Sequence, residues 1–229
     1  MELLQGGHDP QDVIDILTSS DAEAAQRQVG IVDAQGRSAT YTGSGCMDWA
    51  GGISQHNFAA QGNILAGPAV VREMANAFLG STGHLADRLI AALRAGQAAG
   101  GDRRGKQSSA LYIAKPGGGY SGLNDRYVDL RVDDHPEPIE ELARILELHK
   151  LYFFKPSPEE ILQITPALGS EICVLLVQAG ELQAGSTYDA AAAAALVKFM
   201  HRENLEDRVR SDGAIDQQTL AYLRGYKRT

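Results

Sequence analysis

The chain has 229 residues, 44% of them hydrophobic, which is enough for one large domain or one domain with a small appendage. Only 22% of the residues are charged and 25 are glycine, a composition that excludes a disordered chain and is typical of a turn-rich globular protein. The net charge of -8 excludes a general nucleic-acid-binding protein, because such proteins present basic surfaces.

The first part of the chain predicts helices and short strands. Asp9 and Pro10 are typical of a helix start, as the N-cap and the first helical residue. Residues 28–33 and 38–42 predict a hairpin, because a short loop containing glycine separates two strand-like runs. The other predicted elements are a strand at 58–65, a helix that begins at Pro68, a helix at 85–95, strands at 108–114 and 127–132, and a helix at 136–154. Strands before and after two consecutive helices favour a sheet covered by a helical layer over a doubly wound fold.

A domain boundary is predicted at Lys155–Pro158, where two prolines interrupt the helical pattern. We therefore expect one domain over residues 1–155 and a second over 157–229. The second is predicted to be a small all-α domain, with helices at 158–164, 172–179, 190–204 and 216–223.

Four segments with unusual residue combinations resemble one bacterial family, the domain of unknown function 1028. They are residues 27–37, 42–51, 61–68 and 99–108, and the resemblance covers residues 1 to about 155. That family looks like the amino-terminal-nucleophile hydrolases. The resemblance therefore implies a four-layer αββα sandwich of the α/β (α+β) class and action on an amide bond. In some members a peptidoglycan-binding-like segment follows, and the tail from 185 to 220 is similar to it.

The first residues depart from the family's pattern. Its members usually begin well upstream with two strands, and amino-terminal-nucleophile enzymes use the first residue of the leading strand, whose free α-amine acts as the base. This chain opens at Met1 and Glu2, which lack the required hydroxyl or thiol. We expect either a chain truncated at its N-terminus or a family that does not use the terminal mechanism, and we favour truncation. A truncated sandwich would expose a sheet edge, which predicts a homo-oligomer.

The main candidate site is the glycine-rich, basic loop at residues 96–108. Its three cations and neighbouring polar side chains are suited to a small anionic or peptide ligand. The alternative is that Asp102 pairs with an arginine and the loop supports a neighbouring helix or subunit. With the polar pair that follows the strand at 58–65, the predicted substrate-binding residues are Gln61, Asn63, Asp102, Arg103, Arg104, Lys106, Gln107 and Ser108.

Asn63 and Cys46 are candidates for more direct chemical roles. Asn63 could donate a hydrogen bond to an oxyanion, or it could cap the helix that begins at Pro68 or bond turn backbone. Cys46 could act as a nucleophile only with a base and a lowered pKa, and no histidine follows it in a telling pattern. We interpret Cys46 and Cys173 as small buried apolar residues.

The remaining sequence features argue against cofactors and membranes. The six histidines are scattered and neither cysteine lies in a zinc-binding pattern, so no metal and no cofactor are predicted. No apolar run approaches the ~20 residues that span a bilayer, and the first seven residues do not resemble a signal peptide. The sequence predicts a cytoplasmic protein. Two hypotheses remain: an amide hydrolase that lacks its nucleophile in this chain, or a non-catalytic binding or assembly protein that uses its C-terminal domain.

Overall fold

The computed structural model describes residues 1–227, which form two compact units divided between Arg144 and Ile145. We call them the N-terminal unit and the C-terminal unit. The fold is mixed α/β, and its strands form separate two-stranded antiparallel sheets. The dividing point lies inside a helix, some ten residues before the predicted linker at 155–158.

The N-terminal unit contains three of these sheets. Its helices are α1 (Glu2–Gln5), α2 (Pro10–Ser19), α3 (Pro68–Gly80), α4 (Leu85–Ala98) and α5 (Pro138–Phe153), the last of which continues into the C-terminal unit. Its strands are β1 (Gln28–Val32), β2 (Ser38–Thr42), β3 (Gly51–Gln55), β4 (Phe58–Gly62), β5 (Ser109–Ala114) and β6 (Arg126–Val132). The pairs are β1–β2, β3–β4 and β5–β6.

Neighbouring residues in the sequence determine where α2 begins and where the first hairpin forms. The Asp9 carboxylate accepts the backbone N–H groups of Gln11 and Asp12 at 2.9 Å each, which confirms the predicted N-cap of α2. The predicted hairpin at 28–42 is also confirmed, with Gly30 opposite Thr40.

Strand β3 was not predicted. The sequence gives no strand signal here, because the consecutive glycines Gly51 and Gly52 have low strand propensity. In the structure Gly51 and Gly52 pair with Gly62 and Gln61. The predicted strand at 58–65 is shorter than expected and ends at Gly62.

The elements of the N-terminal unit contact one another in a layered order. Helix α2 packs against β1–β2, that hairpin packs against β3–β4, and α3 packs against β3–β4 on one side and α4 on the other. Glycine makes the close approach of the hairpins possible: a Cβ on Gly30 would lie 2.3 Å from Gln61 Oε1. Gln28 also joins the two hairpins, since its Nε2 donates to the carbonyl of Gly62 at 2.9 Å.

The C-terminal unit has its own hydrophobic core. Its further elements are β7 (Ile161–Gln163), α6 (Pro166–Gln178), α7 (Ala190–Arg202), β8 (Ala214–Asp216) and α8 (Gln217–Gly225). The core is built by apolar side chains that recur at helical spacing on α6, α7 and α8, with further contributions from Leu151 on α5, Leu205 after α7 and Ile215 on β8. The fully buried members of this core are Ile172, Leu176, Phe199, Leu205, Ile215, Leu220 and Leu223.

The prediction of an all-α C-terminal domain is wrong. Within the predicted helix at 158–164, only Pro158–Glu160 form a helical turn. Residues 161–163 instead form a strand that pairs antiparallel with residues 214–216, with Leu162 opposite Ile215. Because Pro166 restricts Thr165 to an extended conformation, a helix at 158–164 could not continue through residue 165. Within the described residues, no helix is both long enough and apolar enough to cross a membrane.

Candidate functional site

The structure brings three sequence segments together in the N-terminal unit. Leu65 and Asp102 form an isolated antiparallel bridge, and the Arg103 N–H donates to the carbonyl of Ile64 at 2.9 Å. The Ile64 N–H in turn donates to the carbonyl of Met47 at 3.1 Å. Residues 46–49, 63–66 and 101–104 therefore meet, and we call this region the loop junction.

Ile64 occupies an unusual backbone conformation at the loop junction. Its φ is 56°, in the left-handed region that β-branched residues rarely adopt. Its amide and its carbonyl are both hydrogen-bonded, to Met47 and Arg103. The surrounding backbone therefore holds the conformation, and it explains why β4 cannot continue to residue 65.

Asn63 lies in this junction and Gln61 lies two residues before it, and both are exposed. The Gln61 side chain covers Gly30. Asn63 does not cap α3, because the N-cap of that helix is Gly67 and no side chain bonds its first turn. The oxyanion role of Asn63 stays a prediction.

Two of the three predicted cations are paired with carboxylates. Arg104 donates to Asp102 from its backbone at 2.8 Å and from its guanidinium at 3.0 and 2.6 Å. These bonds lower the pKa of the Asp102 carboxyl, and Asp102 raises the pKa of Arg104. Lys106 Nζ lies 2.7 Å from both carboxylate oxygens of Glu137. Arg103 is exposed, and the described part of the chain offers it no ion pair.

The basic loop is attached to the first turn of α5. The Ser109 hydroxyl donates to the carbonyl of Pro138 at 2.8 Å, next to the ion pair of Lys106 with Glu137. Arg94 on α4 contacts Glu140 at 2.8 and 2.6 Å, and these hydrogen bonds lower the pKa of the Glu140 carboxyl. A groove of about 410 Å³ lies here, and the exposed Gln107 and Ser108 line it. This geometry favours the supporting role for the loop, and its ligand-binding role stays a prediction.

Neither cysteine has the surroundings of an activated thiol. The half-buried Cys46 thiol donates to the carbonyl of Arg27 at 3.4 Å. Burial raises the pKa of the Cys173 thiol, which disfavours the reactive thiolate. Among residues 1–227, no three His, Cys, Asp or Glu side chains are grouped as metal ligands.

Arg208 organises the C-terminal unit, and sequence reasoning missed it because no motif surrounds it. Its guanidinium donates to the carbonyls of Lys150, Leu151 and Phe154 at 2.8, 2.5 and 2.7 Å. It also pairs with the buried Asp216 at 2.7 Å. Arg208 thus bonds carbonyls at the end of α5, where the regular helical hydrogen bonds stop, although the Lys150 carbonyl also accepts the N–H of Phe154 at 3.0 Å.

This network borders a cleft of about 520 Å³, which we call the aromatic cleft. One wall is Tyr152–Pro156, which contains three consecutive aromatic residues. The other wall is Asp207–Arg210. The Arg208 bonds connect the two walls directly.

Comparisons with known proteins agree with a division into two parts. Residues 1–142 match the family model described as "Family of unknown function (DUF1028)". This is more than half of the 229 residues, and the chain belongs to that family. Residues 152–223 match the model described as "Putative peptidoglycan binding domain".

One solved structure supports the first assignment. A crystal structure of a Silicibacter pomeroyi protein, named as a DUF1028 member, is 30% identical with a TM-score of 0.58. The match covers 67% of this chain and 65% of that one, so this chain spans about 65% of the relative's length. No curated protein matches the sequence significantly.

Proposed function

We propose that this protein binds peptidoglycan or its fragments through the C-terminal unit. The observation that carries the proposal is the match of residues 152–223 to a peptidoglycan-binding family, over a segment that packs around its own core. The aromatic cleft gives this unit a concave surface with aromatic and cationic side chains, the combination typical of ligand sites. The cytoplasmic location inferred from the sequence stays a prediction, and in that compartment soluble fragments would be the ligand.

Co-sedimentation with purified peptidoglycan tests this function. We expect the full chain to pellet with peptidoglycan and to be released by soluble muropeptides. Cellulose of the same particle size is the control polymer, because it has neither amino sugars nor peptides. Equal retention on the two polymers, or no retention on peptidoglycan, would contradict the proposal.

A second candidate function concerns the N-terminal unit, which we propose to be an amino-terminal-nucleophile-hydrolase-like domain. The contact order of α2, β1–β2, β3–β4 and α3 supports it, since it follows the sequence of layers in an αββα sandwich. In this proposal the nucleophile is not among residues 1–229. Exposed Asn63 and Arg103 at the loop junction would contact the substrate, and the ion-paired Asp102, Arg104 and Lys106 would hold the loop.

A hydrolysis assay separates this candidate from the first. We expect no amide cleavage by residues 1–229. We expect cleavage by a longer natural reading frame that supplies a strand beginning with Thr, Ser or Cys, and replacement of that residue by Ala should abolish it. Cleavage of an amide substrate by residues 1–229 alone would refute the proposed mechanism.

We also propose that the N-terminal unit forms a homo-oligomer. Each of its described strands pairs with one neighbour only, so every sheet retains two open edges. Open edges favour pairing with a further strand, from a second copy or from a longer chain. Sedimentation velocity should give a dimer or larger species, and a monomer at micromolar concentration would contradict this.

A further inference from the structure

The aromatic cleft presents apolar rings to solvent. Phe153 is 57% exposed and Tyr152 is 40% exposed. Both lie in the last turn of α5, whose residues Leu142, Leu146 and Leu151 are buried. The Phe153 ring lies 4.8 Å from the His149 ring, centroid to centroid. Exposed rings held by a neighbouring ring offer a flat apolar face, which suits the apolar face of a sugar ring.

Three cationic side chains line the cleft that contains these rings. Lys155 directly follows the aromatic run, is exposed, and has no ion pair within residues 1–227. Arg210 on the opposite wall is paired with Asp212, and Arg208 is buried in its pair with Asp216. Lys155 is therefore the cation in this cleft that a ligand carboxylate meets without displacing an internal partner.

The two walls are held in place before any ligand arrives. Arg208 joins the carbonyl of Phe154 on the aromatic wall, and that of Leu151 just before this wall, to its own segment on the other wall. Pro156 further restricts the backbone beside Lys155. A site that is already ordered loses little conformational entropy on binding.

We infer that the aromatic cleft is a saccharide-binding site that takes an amino-sugar unit whose attached peptide carries a free carboxylate. The sugar ring stacks on Phe153 and Tyr152, and the carboxylate pairs with Lys155. This inference rests on the proposed peptidoglycan binding and assigns it to particular residues.

Titration calorimetry on the full chain tests the inference with two probes. The first is a disaccharide-tetrapeptide muropeptide, which carries carboxylates, and the second is a neutral chito-oligosaccharide. Phe153→Ala should weaken both by about tenfold, because it removes the stacking face. Lys155→Gln should weaken the muropeptide by about threefold and leave the neutral oligosaccharide unchanged.

Matched controls lie elsewhere on the same unit. Val174 is 57% exposed, like Phe153, and lies outside the cleft, so Val174→Ala should bind both probes as the wild type does. Lys198→Gln removes an exposed cation from α7 and should likewise change neither affinity.

The outcomes distinguish the inference from the proposed function. If the wild type binds muropeptide and both Phe153→Ala and Lys155→Gln retain its affinity, the cleft assignment is overturned and peptidoglycan binding stands. If the wild type binds neither peptidoglycan nor muropeptide, both are overturned. Loss of binding in Val174→Ala as large as in Phe153→Ala would also overturn the assignment.

Discussion

Arg208 connects three parts of the C-terminal unit through one guanidinium group. It bonds carbonyls at the end of α5, the Asp216 carboxylate and Gln218 at 2.7 Å. Asp216 also caps α8, accepting the N–H of Thr219 at 3.0 Å and its hydroxyl at 2.6 Å. Removal of Arg208 would therefore leave the buried Asp216 carboxylate without its cation and the Leu151 carbonyl without its guanidinium donor.

We predict that Arg208→Ala lowers the free energy of unfolding by about 3–5 kcal/mol. The control is Arg224→Ala, which removes an exposed ion pair with Glu171 and should cost less than about 1 kcal/mol. Urea denaturation followed by circular dichroism measures both. If the two variants had similar unfolding free energies, Arg208 would not have the organising role described here.

Gly43 is a second residue whose identity the packing determines. A Cβ at this position would lie 2.3 Å from the carbonyl oxygen of Ala25 and 2.5 Å from that of Ala24. Both are backbone atoms, which cannot rotate away as a side chain can.

We predict that Gly43→Ala destabilises the chain by about 1–3 kcal/mol. Gly80→Ala is the matched control, because a Cβ on Gly80 meets nothing within 4 Å, and it should be neutral or slightly stabilising. The midpoint temperatures of thermal unfolding of the two variants measure this difference. Equal midpoints would show that the loop before β3 shifts freely to accept the extra methyl group.

At the scale of elements, the sequence predicts what local chemistry determines. The N-cap at Asp9 and the turn between β1 and β2 are encoded by adjacent residues, so both were predicted. Strands β3 and β7 were missed because their partners determine them. Gly51–Gly52 has no strand propensity, and residues 161–163 pair with a segment about fifty residues further along.

Helix α7 gives a direct test of local encoding. It begins with six alanines, and the Asp189 carboxylate accepts the N–H groups of Ala191 and Ala192 at 2.9 Å each. Asp189→Ala should cost about 1 kcal/mol, whereas Asp189→Asn should cost much less because asparagine is an equally good cap. Chemical denaturation of the two variants measures this. Equal losses would mean that the charge of Asp189, and not its capping bond, is what matters.

For the molecule as a whole, the sequence predicts which segments contribute to the candidate site but not how these segments contact one another. The glycine-rich loop and the polar pair of Gln61 and Asn63 are each identified from local composition. The bridge of Leu65 with Asp102 that joins them is a long-range contact, which a single sequence does not reveal. The pairing of Lys106 with Glu137, 31 residues away, was likewise invisible, although it changes how the loop's charge is interpreted.

The charged pairs also predict how the whole molecule responds to acid. Hydrogen bonds from arginines lower the pKa of Asp102, Glu140 and Glu171 below their usual values of 3.8, 4.5 and 4.5. A carboxylate with a lowered pKa in the folded state stabilises that state above its unfolded pKa. The contribution is lost as the pH falls through the folded value.

We therefore predict a urea midpoint that is nearly constant from pH 6 to pH 8 and falls below about pH 4.5. The fall should be smaller in high salt, because these pairs are largely exposed and are screened. A urea midpoint that increases as the pH is lowered from 5 to 3 would contradict the direction of these pKa changes.

Our proposal assigns the binding of peptidoglycan fragments to the aromatic cleft of the C-terminal unit. Hydrogen–deuterium exchange of the full chain, with and without a saturating soluble muropeptide, tests it most directly. We predict slower exchange in residues 150–156 and 206–210, with residues 1–144 unchanged. Protection confined to residues 1–144, or no protection anywhere, would contradict the claim.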